Sequence, residues 1–229
     1  MAFSKEIQDE IYAYCNNHLP EENWYETEFD FIKDEVLRKR LVEEFKAIRF
    51  AYKIYEGIAA KDENLIFEVR NQILAYATIY EAVIEHVLSE YYSETKEFYD
   101  LMHHIVPVPI CIPSENLDKL NNLLVHNGET VATFTYREKK KDKPQVRFDD
   151  KCHAAENLGI IKKFENKEGV EIDLPSEIIE IYGYRNGIHL IAEQRKGIKY
   201  ELDLSQKAYR RMQPFIAQVK AKLKNDGKI

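Results

Sequence analysis

The chain has 229 residues, 45% hydrophobic and 32% charged, with a formal net charge of −7. That balance supports a full hydrophobic core, as one large domain or as a domain with an appendage, and excludes wholesale disorder. It also argues against a protein that coats nucleic acid indiscriminately, and no stretch approaches the roughly 20 apolar residues a membrane span requires.

The N-terminus turns acidic and amphipathic at once, unlike a signal peptide. Three widely separated cysteines, Cys15, Cys111 and Cys152, fit a reducing, cytoplasmic setting rather than a disulfide framework or zinc ribbon. The charge is uneven: residues 1–60 hold 8 Lys/Arg against 13 Asp/Glu, and residues 185–229 hold 11 against 4. Such a basic quarter either attracts phosphate locally or forms a solvated helix face.

Phe3, Ile7, Ile11 and Tyr14 recur at helical steps over residues 3–17. A polar linker with Pro20 follows, from His18 to Glu26. Phe31, Val36, Leu41, Phe45, Ile48, Tyr52 and Tyr55 then mark one long helix, or two with a bend, over Thr27–Ala60. Asp62 is the expected N-cap of the next helix, which carries Leu65, Val69, Ile73, Tyr76, Ile79, Val83 and Val87 to about Tyr92. Two long helices across a short turn predict an antiparallel hairpin, the start of a bundle.

Prolines exclude a helix over Val106–Pro113, and Ser114 is the expected N-cap of a short helix to about His126. After the Asn127-Gly128 turn signal, the β-branched and aromatic run Thr130–Tyr136 predicts a strand. Its hairpin would turn through Arg137–Lys143 and return along Val146–Phe148. A short helix at Asp149–Leu158 ends at Gly159. Pro175, with Asp173 just ahead, opens a helix carrying Ile178, Ile179, Tyr182, Ile188 and Ile191; a last helix spans Ser205–Lys224.

The run Tyr184-Arg-Asn-Gly-Ile-His189 carries the most chemical information. Four residues apart on a helix, Arg185 and His189 would lie about 40° apart around the axis, one turn from each other. A guanidinium forks onto phosphate oxygens, and an imidazole exchanges protons near neutral pH. Asn186 adds an amide beside them, and Gly187 keeps the turn uncrowded for a close neighbour. The same spacing also arises in helices without any catalytic role.

The stretch Glu177–Ile191 resembles the signature helix of HEPN domains, small all-helical domains of prokaryotic toxins, defence proteins and RNA-processing nucleases. Ile73–Leu88, apolar with Glu81 at its centre, is similar to that family's first core helix. The likeness covers about residues 62–224, and the separation of Arg185 from His189 is shorter than the family's usual spacing. It implies an all-α, HEPN-like bundle at 61–229, with an N-terminal helical extension at 1–60 and a β-hairpin insert near 129–148. It implies a metal-independent endoribonuclease without cofactors, acting as a homodimer on RNA, with a possible antitoxin or defence-system partner protein and no membrane. Arg185 and His189 would then be catalytic, Asn186 would bind substrate, and Glu81 would hold Arg185. The alternative is a non-catalytic helical module that binds a protein partner or RNA, with residues 1–60 as an interaction arm.

Other candidates are weaker. His103 and His104 lack a catalytic metal pattern, and His86 reads as a packed histidine. Glu81 and Glu85 would repel if both were exposed. The 8 glycines form no phosphate loop.

Overall fold

A computed structural model describes residues 2–124, 133–188, 194–195 and 197–229, apart from the side chain of Lys143. The fold is all-α with a small β-hairpin insertion. Two compact units are present, Met1–Ser93 with Arg147–Ile229, and Glu94–Val146. Among the described residues no helix is long and apolar enough to cross a membrane.

The first unit is organised around its longest helix. Helices α1 (Lys5–Asn17), α2 (Glu22–Glu28), α3 (Glu35–Gly57) and α4 (Asp62–Tyr91) come first in the chain. After the second unit come α7 (Phe148–Asn157), α8 (Leu174–Arg185) and the C-terminal helix α9 (Leu202–Asn225). Helix α4 is about 45 Å long at 1.5 Å per residue and packs against α3, α7, α8 and α9. That explains its composition: Val69, Ile73, Tyr76, Tyr80, Val83, Ile84, Val87 and Leu88 are buried around more than one face. Two polar tips inside this core find backbone partners. The Tyr80 hydroxyl donates to the Ala208 carbonyl on α9 at 2.8 Å, and Gln72 Nε2 donates to the Ile48 carbonyl on α3 at 3.0 Å.

The boundary expected at residue 60 does not separate these units. Helices α1 and α2 pack on α3, and α3 packs on α4, within the first unit. The supposed linker contains α2, because Tyr25 is buried and meets Phe45 of α3 edge-on at 5.7 Å. The long helix expected from Thr27 starts only at Glu35. There the Asp34 carboxylate accepts the N–H groups of Val36 and Leu37, leaving Phe29, Phe31 and Ile32 buried in the preceding turn. Lys61 rather than Asp62 occupies the N-cap of α4, and Pro113 rather than Ser114 that of the next short helix.

The second unit comprises α5 (Lys96–Met102), β1 (His103–Pro109), α6 (Ser114–Leu123) and β2 (Phe134–Lys140). Strand β2 pairs antiparallel with β1, with Pro107 opposite Tyr136 and Ile105 opposite Glu138. The return strand expected at Val146–Phe148 therefore does not form; Phe148 is buried and opens α7. A proline-rich segment serves as partner because a two-stranded sheet has outer edges where proline is tolerated. The expected turn at Asn127-Gly128 and the start of the expected strand lie outside the described residues. In the first unit, β3 (Phe164–Glu165) and β4 (Glu171–Ile172) close a tiny hairpin. The Asn166 side chain accepts the N–H groups of Glu168 and Val170 at its turn.

One buried charge predicts a pH effect. Glu68 is 5% exposed, and burial, opposed by the hydrogen bond from Gln72, holds its carboxyl above the usual carboxylate range. A raised folded pKa means the proton is bound more tightly in the native state. The associated stability is complete at low pH and falls as pH rises through the folded value. Glu68→Gln is therefore expected to raise the urea midpoint at pH 8 and leave it unchanged near pH 4. An equal shift at both would show that Glu68 ionises freely.

Candidate active site

Helix α8 starts where its sequence indicates. The Asp173 carboxylate accepts the Ser176 N–H at 3.1 Å, and Pro175 sits in the first turn, where its missing donor costs nothing. Arg185 closes the helix. Its Nη1 donates to the Tyr182 hydroxyl at 2.6 Å, and that hydroxyl donates to Glu81 Oε1 on α4 at 3.0 Å. Nη1 also lies 3.6 Å from Glu81 Oε2. Burial first, and the Glu81 carboxylate second, push the Tyr182 phenol up, so it remains a neutral donor. Phe148 of α7 stacks on the Tyr182 ring at 4.1 Å and fixes its plane. Three helices thus hold one guanidinium, whose side chain stays 31% exposed.

Glu81 and Glu85 do face out one turn apart on α4, yet each has its own cation. Arg185 serves Glu81, and Lys151 of α7 lies 2.7 Å from Glu85. That arrangement removes the repulsion an isolated i, i+4 carboxylate pair would suffer. Both contacts of Arg185 fall on Nη1, and a guanidinium carries five N–H donors, so its fork retains capacity for a phosphate.

Beyond Arg185 the α-helix stops, a difference from the sequence reading, which ran it through Ile191. Asn186 is the exposed C-cap, and the Gly187 and Ile188 N–H groups bond to the carbonyls of Tyr184 and Arg185, three residues back. The helical register that would place residues 185 and 189 on one face is therefore not carried by α8. His189, like Ile191, lies outside the described residues. Gly187 is buried, and its close neighbours are Ile198 and Tyr200, whose hydroxyl donates to the Tyr184 carbonyl at 3.1 Å. A Cβ here would overlap the Ile198 side chain and lie 3.3 Å from the Tyr184 carbonyl oxygen. Gly187→Ala is expected to destabilise by no more than about 1 kcal/mol, since the closest atom is the movable end of the Ile198 side chain. Chemical denaturation reads this directly, and an unchanged midpoint would mean the turn yields freely.

The C-terminal basic excess is largely used inside the fold. On α9, Lys207 bridges to Glu180 of α8 at 2.6 Å, Arg211 pairs with Glu177, and Lys220 lies 2.9 Å from Asp30. Of these pairs Lys220–Asp30 joins the basic end to the acidic one, and the other two meet carboxylates of α8, so part of the apparent phosphate-attracting surface is internal pairing. A hollow of about 640 Å³ beside α2 and α3 is lined by Glu22, Glu26, Asp30, Glu35 and Glu43 against Arg38 and Lys39, which disfavours an anionic ligand there.

His103 stacks on Tyr99 at 3.9 Å, with its Nδ1 2.8 Å from the Tyr99 carbonyl; among the described residues no group of three or more His, Cys, Asp or Glu is placed to hold a metal ion. His86 accepts the Lys33 backbone N–H at Nε2, and burial lowers its pKa, as befits a packed neutral imidazole. Tyr182 and Phe148 were not singled out from sequence. The signal for Tyr182 was its place three residues before Arg185 on one helix; Phe148 left none, because its contact spans two helices.

Comparison of the chain with protein-family models, curated proteins and solved structures finds no match.

Proposed function

We propose that the chain is a metal-independent endoribonuclease of the HEPN type, with Arg185 and His189 as its catalytic pair and Asn186 contacting substrate. The supporting observation is the anchored guanidinium. Arg185 is tied to Tyr182 and Glu81 by one nitrogen, remains partly open, and stands beside an exposed Asn186. A positive fork held in advance at a partly dry site stabilises charge that develops on a phosphate, with little reorganisation at the moment of reaction. In this reading His189 takes the proton of a ribose 2′-hydroxyl as that oxygen attacks the adjacent phosphorus. The bond to the 5′-oxygen breaks as that oxygen takes a proton from solvent, His189 returns its own proton to solvent, and the products are a 2′,3′-cyclic phosphate and a 5′-hydroxyl. Two copies would bring two such segments together as one composite site, in a toxin or phage-defence setting with a protein antitoxin or activator.

The test is incubation of the purified chain with single-stranded RNA in EDTA, beside His189→Ala, with the ends of the products identified. Cyclic phosphate ends formed by the parent and lost in the variant support the nuclease. Absence of cleavage by both, with RNA or a protein partner still bound, would replace it by the non-catalytic helical module.

A further inference from the structure

The β1–β2 hairpin presents an open face that the nuclease reading does not use. Directly paired residues of an antiparallel ladder share a face, so His103, Ile105, Pro107 and Pro109 lie beside Lys140, Glu138, Tyr136 and Phe134. Tyr136 is 72% exposed, Ile105 71% and Phe134 47%. At one end the Tyr99–His103 stack extends the row, and the Tyr99 hydroxyl donates to Glu138 at 2.8 Å. Exposed rings at two-residue steps are about 7 Å apart along the strand, and among the described residues no layer covers them. Clustered exposed apolar surface of this kind marks an interaction site.

Two features select the occupant. The first is the edge of β1. The Ile110 N–H bonds to the Thr133 carbonyl and the Lys141 N–H to the Met102 carbonyl, so even-numbered positions of β1 point their backbone toward β2. Pro107 and Pro109 therefore occupy outward positions, where a missing N–H blunts the edge against an added strand. The second is charge. Residues 137–143 hold Arg137, Lys139, Lys140, Lys141 and Lys143 against Glu138 and Asp142. Lys140 shares the ring face and Arg137 and Lys139 alternate onto the reverse face; across a hairpin one layer thick this net positive charge repels a second copy and draws a polyanion. The one carboxylate on the aromatic face, Glu138, is held by Tyr99.

We propose that this face is a platform for single-stranded RNA, on which bases stack against Phe134, Tyr136 and the Tyr99–His103 pair while Lys140, on the same face, meets the phosphates. The inference rests on the reading of RNA as the substrate and adds where the strand is gripped, apart from the groups that cleave it. Base–aromatic stacking tolerates any sequence because every base has a π-face, so the grip would be strong without being selective.

The experiment measures binding of a short fluorescein-labelled single-stranded RNA, and of its duplex, to the full chain carrying His189→Ala. Phe134→Leu and Tyr136→Leu are each expected to weaken single-strand binding about tenfold, and together about a hundredfold. Both sites are exposed, so an unchanged thermal midpoint serves as the folding control. Replacing Lys140 by alanine should reduce the slope of log affinity against log salt by about 0.7, the value for one phosphate no longer neutralised. The duplex, whose bases are already stacked, should bind more weakly. In the cleaving chain, Tyr136→Leu should raise KM and leave kcat unchanged. Absence of cleavage with ring-dependent binding would sink the nuclease reading and keep the platform. Cleavage with binding indifferent to both rings, or ring-dependent adsorption to anionic vesicles instead of RNA, would overturn the platform.

Discussion

Arg185→Ala is expected to lower RNA cleavage about 10²–10³-fold, the cost of removing a preorganised donor from the charge that develops in a transition state. Folding should barely change. The Arg185–Glu81 pair is about one-third exposed on the arginine side, and pairs of that kind contribute roughly 0–1 kcal/mol. Arg185→Lys should not restore the rate, because an ammonium is a point charge without the planar fork that matches phosphate oxygens. Glu81→Gln separates positioning from chemistry. It keeps an acceptor for the Tyr182 hydroxyl and removes the charge that pins Nη1, so kcat should fall by less than in Arg185→Ala while the denaturation midpoint stays within about 0.5 kcal/mol. Single-turnover cleavage with saturating enzyme reads these differences without product release. Parent-like rates in Arg185→Ala would remove Arg185 from the mechanism.

The second large effect concerns the core. Tyr80→Ala should destabilise by about 3–5 kcal/mol, the range for deleting a large buried aromatic ring. Tyr80 has no exposure and meets Phe215 of α9 edge-on at 4.9 Å. Its hydroxyl satisfies the buried Ala208 carbonyl. Tyr80→Phe keeps the ring and should cost about 1 kcal/mol, the net value of one hydrogen bond. The gap between the two variants in guanidinium denaturation measures packing alone. Equal losses would mean that the hydrogen bond, not the ring, joins α4 to α9.

These two positions differ in how far sequence reaches them. Tyr80 belongs to an apolar helix whose length and composition follow from local periodicity, but its partner Ala208 is 128 residues away. Arg185 was legible as a candidate because its residue type, its neighbours Asn186 and Gly187, and its helix form a short local pattern. What holds it was only partly legible. Glu81 was a named candidate, but the linking Tyr182 hydroxyl and the Phe148 stack bring together α4, α7 and α8.

Local physics accounts for what the chain's order of residues determined alone. Helical periodicity, the Asp173 cap and the proline in the first turn of α8 act over a few residues, where propensity and capping decide. Tertiary structure decided the rest: where α3 begins, the proline-rich partner of β2, the end of α8 at Arg185, and which carboxylates pair with the basic residues of α9. Each of these depends on which distant surface is available to be buried or paired, a competition among long-range contacts that no short window of sequence contains.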